Sequence, residues 1–441
     1  MEQIYSETIT KFIRADVSQR LIINGRTENH DALHKQLNFN GFTTSEILFL
    51  VATKQGDVQM ISANNLETAW TLDADLEHLM SLARKKRDVY WGKTITYSRK
   101  VFVPLTNMCR DTCGYCTFVK HPDDPKANIM SPNQVLKTVR EGQKRGCKEV
   151  LLSLGEKPEL RYSKAKKILA SLGYDTIIEY LRDICALIID ETDLLPHVNA
   201  GSLTDDEIEM LRPVSASMGM MLETSSKRLA NKGQPHFACP DKMPVQRIRT
   251  LERAGIKSVP FTTGILIGIG ETWHERLESL EVIRSAHQQY GHIQEVIIQN
   301  FQPKPGISME HMPGPALNEM LRMLAIARIV LPMDVSLQAP PNLSDRHINY
   351  IKAGINDWGG ISPVTIDFIN PQHVWPEIEG LRRECAKHGS KLKERLTIYP
   401  KYIQLGRKFV DDRMFLQVNN LARKDGLASD QYRAEYDAKN L

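Results

Sequence analysis

Val103-Pro-Leu-Thr-Asn-Met-Cys109-Arg-Asp-Thr-Cys113-Gly-Tyr-Cys116-Thr-Phe118 follows directly on a β-branched run, Val101–Leu105. Three cysteines fall within eight residues, spaced CxxxCxxC, where a strand would end. Outward from this point the same rhythm recurs. Apolar runs at Glu149–Leu154, His197–Ala200, Ser215–Leu222, Ser258–Ile267, Glu295–Asn300, Asp334–Gln338 and Ile355–Ser362 read as strands. Between them lie helix-like stretches such as Ser131–Arg145, Thr176–Glu191, Thr204–Leu211, Pro244–Ala254, Trp273–Tyr290 and Ala316–Leu331. Ser131 before Pro132, and Thr204 before an acidic run, are helix-start signals, and Gly146 and Gly255 read as helix ends. Strand–helix alternation repeated about eight times predicts an α/β fold with a parallel sheet. Closure into a (β/α)8 TIM-like barrel is the simplest form, with a doubly wound sheet as the alternative. In a barrel, the loops after the strands carry the chemistry.

The cysteine loop meets that rule. Three thiolates hold three irons of a cubane and leave the fourth without a protein ligand, whereas electron-transfer clusters ordinarily use four cysteines. An open iron suits chemistry on a bound small molecule. This spacing is the signature of the radical S-adenosylmethionine (SAM) superfamily, which the chain resembles. The resemblance implies a [4Fe-4S] cluster on Cys109, Cys113 and Cys116, with SAM on the open iron. A Cys3His zinc site using His121 is the rival, but structural zinc sites usually pair two short knuckles and no second one follows. Cys147, Cys185, Cys239 and Cys385 read as buried apolar residues.

Other strand ends carry further candidates. Tyr115 precedes the third cysteine, and Gly155-Glu156 closes the second strand, where the superfamily grips the methionyl amine of SAM. Glu223 is placed to reach the ribose and Arg228 the carboxylate of SAM. The segment holding Gly268 and Gly270 resembles the element that packs beside adenine. It lacks the third glycine of a dinucleotide fingerprint. His197, Asn199, Asn300, Gln302 and Asp357 stand at strand ends as candidate substrate contacts.

The remaining sequence sets bounds. The 441 residues are 41% hydrophobic and 25% charged, with a net charge of +4, so neither nucleic acid nor an anionic membrane is expected as a partner. Without a signal-like start or a membrane-length apolar run, the expected location is cytoplasmic. Residues 1–95 read as a helical N-terminal extension, with helices at Thr44–Lys54 and Leu72–Arg87. Residues 96–399 read as the barrel and 400–441 as a helical C-terminal tail with a frayed end.

The strings ITYSRKVFVPLTNMCRDTCGYCTF, LLSLGEKPE, LLPHVNAG, SASMGMMLETSS, PFTTGILIGIGET, EVIIQNF, QAPPNL and DWGGISPVTIDFINP narrow the resemblance. Together they resemble the ring-closing subunit of the radical SAM enzymes that make the deazaflavin chromophore. The match runs from about Thr44 to Leu405. It implies a lyase that converts 5-amino-5-(4-hydroxybenzyl)-6-(D-ribitylimino)-dihydrouracil to the deazaflavin and releases ammonia. It also implies a sister radical SAM subunit supplying that small-molecule substrate, and an electron donor such as ferredoxin or flavodoxin. The alternatives are another radical SAM enzyme of the group, namely the tyrosine-radical sister or a menaquinone-pathway enzyme, or a non-catalytic Fe–S or zinc protein.

Overall fold

The computed structural model describes residues 74–429, together with two short backbone strands at Leu21–Ile23 and Arg26–Glu28. The chain divides into two compact units, residues 1–61 and 62–441. Within the first, the two short strands pair antiparallel. The helix expected at Thr44–Lys54 and the tail end beyond residue 429 lie outside the described residues.

In the second unit, helix α1 (Leu76–Trp91) leads into β1 (Thr94–Pro104). There follow β2 (Glu149–Ser153), β3 (Leu195–Asn199), β4 (Ser217–Gly219), β5 (Phe261–Ile267), β6 (Ile293–Asn300), β7 (Ser336–Gln338) and β8 (Asp357–Ile361), each parallel to its predecessor. β8 returns to pair with β1, which closes the barrel and excludes the open sheet. Helices α2 (Pro132–Lys144), α4 (Ile177–Glu191), α5 (Asp205–Leu211) and α7 (Trp273–Tyr290) begin with reciprocal capping boxes at Ser131, Thr176, Thr204 and Thr272. Each cap satisfies amides that a helix start would otherwise leave bare. The shorter α3 (Ser163–Ser171) precedes α4, and α6 (Pro244–Ile256) and α8 (Leu317–Val330) complete the main outer ring.

Two expectations change. Gly255 does not end its helix; it lies inside α6, where an added Cβ would come within 2.5 Å of the Tyr290 ring. Close packing of α6 on the end of α7 is what requires the bare residue. A ninth parallel strand, β9 (Lys391–Arg395), was not expected from the sequence. It follows α9 (Ile378–Lys387) and pairs with the first half of β1, while β2 pairs with the second half.

After β9 the chain crosses the lower end of the barrel into α10 (Pro400–Gln404) and α11 (Asp412–Leu421). Leu396, Ile398, Tyr402, Phe409, Met414 and Val418 pack there against Leu195, the first residue of β3. Above this apolar floor lies an ionic one. Arg395 bonds both oxygens of Asp357 at 2.7 and 2.8 Å and reaches Glu295 at 3.1 Å.

Candidate active site

Strand alternation sends Ser98, Lys100 and Phe102 of β1 into the barrel and leaves Val101 facing α2, against Gly142. At Pro104 the strand stops, and the cysteine loop turns over the upper rim. Cys109 is buried and its sulfur accepts from the amides of Asp111 at 3.4 Å and Glu156 at 3.2 Å. The amide of Arg110 in turn donates to the Glu156 carbonyl at 2.9 Å, locking this loop to the end of β2. Gly155 lies beneath it. An added Cβ would stand 2.1 Å from the Met108 carbonyl oxygen, a clash with backbone that nothing can relieve by rotating.

Glu156 does not stand free. Its carboxylate takes Arg247 of α6 at 2.7 Å and the amide of Ser202 at 3.1 Å. Burial raises its pKa, with Arg247 opposing. Asp111, Glu156 and Asp241 bring three buried carboxylates together, and Arg110 pairs with Asp241. One oxygen of Asp111 is buried with no hydrogen-bond partner, and burial followed by the neighbouring carboxylates pushes its pKa up to about 7.

Glu223 follows β4 with a left-handed backbone, φ 65°. Its carboxylate accepts from the Tyr115 hydroxyl, meets Lys242 at 2.6 Å and stands 3.1 Å from His236. Burial opposes its ionisation, but Lys242, His236 and Arg247 outweigh it and hold the carboxyl well below the usual range. Tyr115 also packs against Leu229, Leu266, Ile269, Phe301, Ile307 and Met309. Gly268 and Gly270 both adopt positive φ, and their turn is held by Glu271, which accepts from the amides of Gly268 at 2.7 Å and Ile269 at 2.8 Å. Arg228 donates to the Gly270 carbonyl and to Glu275, both at 2.7 Å, so its guanidinium is engaged by protein.

Inside the barrel is a cavity of about 170 Å³. His197 and Asn199 line it; Asn300, Gln302 and Asp357 do not. Asn300 and Gln302 both donate to the Leu343 carbonyl, at 3.1 and 2.9 Å, and Asp357 is held in the floor by Arg395. His197 bonds Ser217 at 2.7 Å, and burial pushes its imidazole pKa down to about 4, so the ring is neutral at pH 7. Asp367, Ile369 and Trp375 roof the cavity. The Ile369 carbonyl accepts from Thr117 of the cysteine loop at 3.4 Å and from Lys304 at 3.0 Å.

This donor set fits a three-cysteine cluster with a small molecule on its open iron. Burial pushes the Cys109 thiol up to about 12, the amides aimed at its sulfur oppose this, and bound iron would supply the positive charge a buried thiolate needs; the orphaned Asp111 oxygen lies buried beside it. His121, by contrast, is exposed, pairs with Asp123 at 3.4 Å and packs edge-on against Tyr162, so it does not complete a zinc site. The sequence motifs missed Arg247, Lys242, His236, Asp241 and Lys304. His236, Asp241 and Lys242 stand in the glycine- and proline-rich stretch 233–244 and Lys304 between Pro303 and Pro305; Arg247 carries no local mark.

Barrel, cysteine loop and closing cavity define a radical SAM enzyme, and the Radical SAM superfamily description matches residues 103–283. Such enzymes carry a [4Fe-4S] cluster and use SAM. Methylornithine synthase shares the fold, with a TM-score of 0.58 at 17% identity over 74% of this chain and 92% of that one. A maturase of the [FeFe]-hydrogenase does so at TM-score 0.63 and 16% identity, over 89% and 84%. The chain is 50% identical over 314 residues to 7,8-didemethyl-8-hydroxy-5-deazariboflavin synthase of Methanopyrus kandleri, covering 71% of this chain and 93% of that one. It is 47% identical over 359 residues to FO synthase of Streptomyces avermitilis, covering 79% of this chain but 42% of that one. The chain belongs to the 7,8-didemethyl-8-hydroxy-5-deazariboflavin (FO) synthase family, and spans less than half the length of the Streptomyces relative. No helix among the described residues is long and apolar enough to cross a membrane.

Proposed function

We propose that this chain performs the ring-closing half of deazaflavin synthesis. It takes 5-amino-5-(4-hydroxybenzyl)-6-(D-ribitylimino)-dihydrouracil to the tricyclic chromophore and releases ammonia. One observation carries the reading: the roof of the barrel cavity is hydrogen-bonded through Ile369 to the cysteine loop, so a ring held in the cavity borders the place where a radical would arise. Forming the central ring requires breaking an unactivated C–H bond. No side-chain acid or base does this at neutral pH; the cluster and SAM together supply a 5′-deoxyadenosyl radical for it.

The chain's own residues hold and exclude. Cys109, Cys113 and Cys116 hold iron. Gly155, Glu156 and the free oxygen of Asp111 face the methionyl amine, with Arg247 fixing Glu156. Glu223, braced by Lys242 and His236, takes the ribose hydroxyls, and Tyr115 with the Gly268–Gly270 turn borders the adenine. Arg228 acts through that turn as a positioning residue. His197 and Asn199 contact the substrate, while Asn300, Gln302 and Asp357 support the loops and floor around it. Segment 1–95 serves as an extension, 96–399 as the catalytic barrel, and residues 400–429 of the tail as its floor. A sister radical SAM chain supplies the substrate and a ferredoxin or flavodoxin the electron.

The test is anaerobic turnover of the purified adduct by cluster-loaded protein with SAM and a strong reductant. Mass spectrometry should find the deazaflavin, 5′-deoxyadenosine and ammonia together, and none without SAM. Deoxyadenosine without deazaflavin would refute the substrate while keeping the class.

A further inference from the structure

The cavity wall contains two charges to which the described residues make no hydrogen bond. Lys100 and Glu149 are direct partners across β1 and β2, and both side chains line the cavity. They are only 8% and 6% exposed. The neighbouring buried charges are paired: Arg247 with Glu156, Lys242 with Glu223, Arg395 with Asp357. Among the described residues, neither Lys100 nor Glu149 has a hydrogen-bond partner, and no ion pair joins them to each other or to anything else. The Lys100 ammonium stands over two aromatic faces, Trp375 at 4.8 Å and Phe102 at 5.7 Å, while Glu149, Asp367 and Glu295 act on it by charge without bonding it.

A buried ammonium with no acceptor and a buried carboxylate with no donor are each costly. The deficit disappears when a ligand brings an acceptor and a donor side by side. We infer that Lys100 and Glu149 read the imide edge of a pyrimidinedione ring, Lys100 donating to a ring carbonyl and Glu149 accepting from the adjacent N3–H. Trp375 and Phe102 supply apolar surface suited to the planar imide segment of the ring, and Asn199, Gln299 and Gln338 line the same space for a polyol chain. A free amino acid such as tyrosine also carries both charges, but it brings no polyol for Asn199, Gln299 and Gln338. This inference rests on the deazaflavin reading for the identity of the ring. It concerns two residues that no motif or strand-end rule singles out.

The experiment is equilibrium dialysis of the hydroxybenzyl–dihydrouracil adduct, and of its N3-methyl analogue, against cluster-loaded full-length protein without reductant. Lys100→Met should weaken binding of the adduct about 10- to 100-fold, the range of a hydrogen bond to a charged group. Iron content and the SAM-induced change in the cluster's EPR spectrum should stay as in the wild type. N3-methylation should weaken wild-type binding to a similar degree and cost nothing further in Glu149→Met, whose side chain has no oxygen to accept from N3–H. Wild-type protein that binds the N3-methyl ring as tightly as the parent, or does not bind the parent, overturns the inference, whether or not the variants fold. So does displacement of the adduct by tyrosine at equal concentration. Adduct that binds with these dependences but is not converted when SAM and reductant are added refutes the ring-closing reaction and leaves the imide recognition standing.

Discussion

Arg247 reaches from α6 to Glu156 at 2.7 Å, and the backbone amide of that same glutamate donates to the Cys109 sulfur at 3.2 Å. The ion pair therefore fixes one wall of the cluster loop from a helix more than ninety residues further along the chain. Arg247→Met strands a buried carboxylate. It should cost about 3–5 kcal/mol of stability, the penalty for breaking one side of a buried pair. Urea unfolding and bound-iron assay measure it, and iron loading should fall with stability. An unchanged midpoint and iron content would show that Glu156 is held by other means.

Gly155→Ala should fail differently. The new methyl meets the Met108 carbonyl, so the loop cannot seat while the barrel remains folded. Circular dichroism should be close to wild type with iron content reduced severalfold.

Cys113→Ala should abolish both the cluster and activity. Cys147→Ala should keep both, because Cys147 lies just before β2 at the opposite end of the barrel from the cysteine loop. EPR of the reconstituted proteins decides, and a Cys147 variant without a cluster contradicts the ligand assignment.

Glu223→Gln removes the charge that Lys242 meets at 2.6 Å. The expected result is a cluster that forms but needs about 10- to 100-fold more SAM to shift its EPR signal, the cost of one charged hydrogen bond. A SAM titration identical to wild type would remove Glu223 from the cofactor's binding set.

His292 predicts an acid limb in stability. The ring is buried between Phe261 and Tyr290, and burial pushes its pKa down from the ordinary 6.5 to about 3. The unfolded chain binds the proton first, so stability is fully present above pH ~6.5 and is lost as pH falls toward ~3. His292→Phe should flatten that stretch of the stability–pH curve by one proton. Chemical denaturation at a series of pH values provides the slope.

The sequence was most legible where chemistry sits on contiguous residues. CxxxCxxC, Gly155-Glu156 and the capped helix starts each carry their signal in one short window, and the eight-strand barrel followed from their spacing. Strand β9 escaped because KLKER is mostly charged. Its pairing with β1 is made by backbone, and only Leu392 and Arg395 are buried. Arg247, His236 and Lys304 escaped because their meaning arises only when separate loops converge. Lys100 looked like any strand lysine until the register set it opposite Glu149. Asn300 does end β6 and Gln302 follows it, but both tie down the Leu343 loop, whereas Asp357 opens β8 at the floor end of the barrel, where Arg395 holds it.

Among the described residues, the floor built by Arg395, Asp357 and the packed C-terminal helices fills the lower end of the barrel, so the cavity opens toward the iron-binding loop. In the proposed reaction the rigid tricycle, smaller than its flexible precursor by the ammonia released, leaves past the same loop as the spent nucleoside and methionine, and that shared passage sets the order of departures.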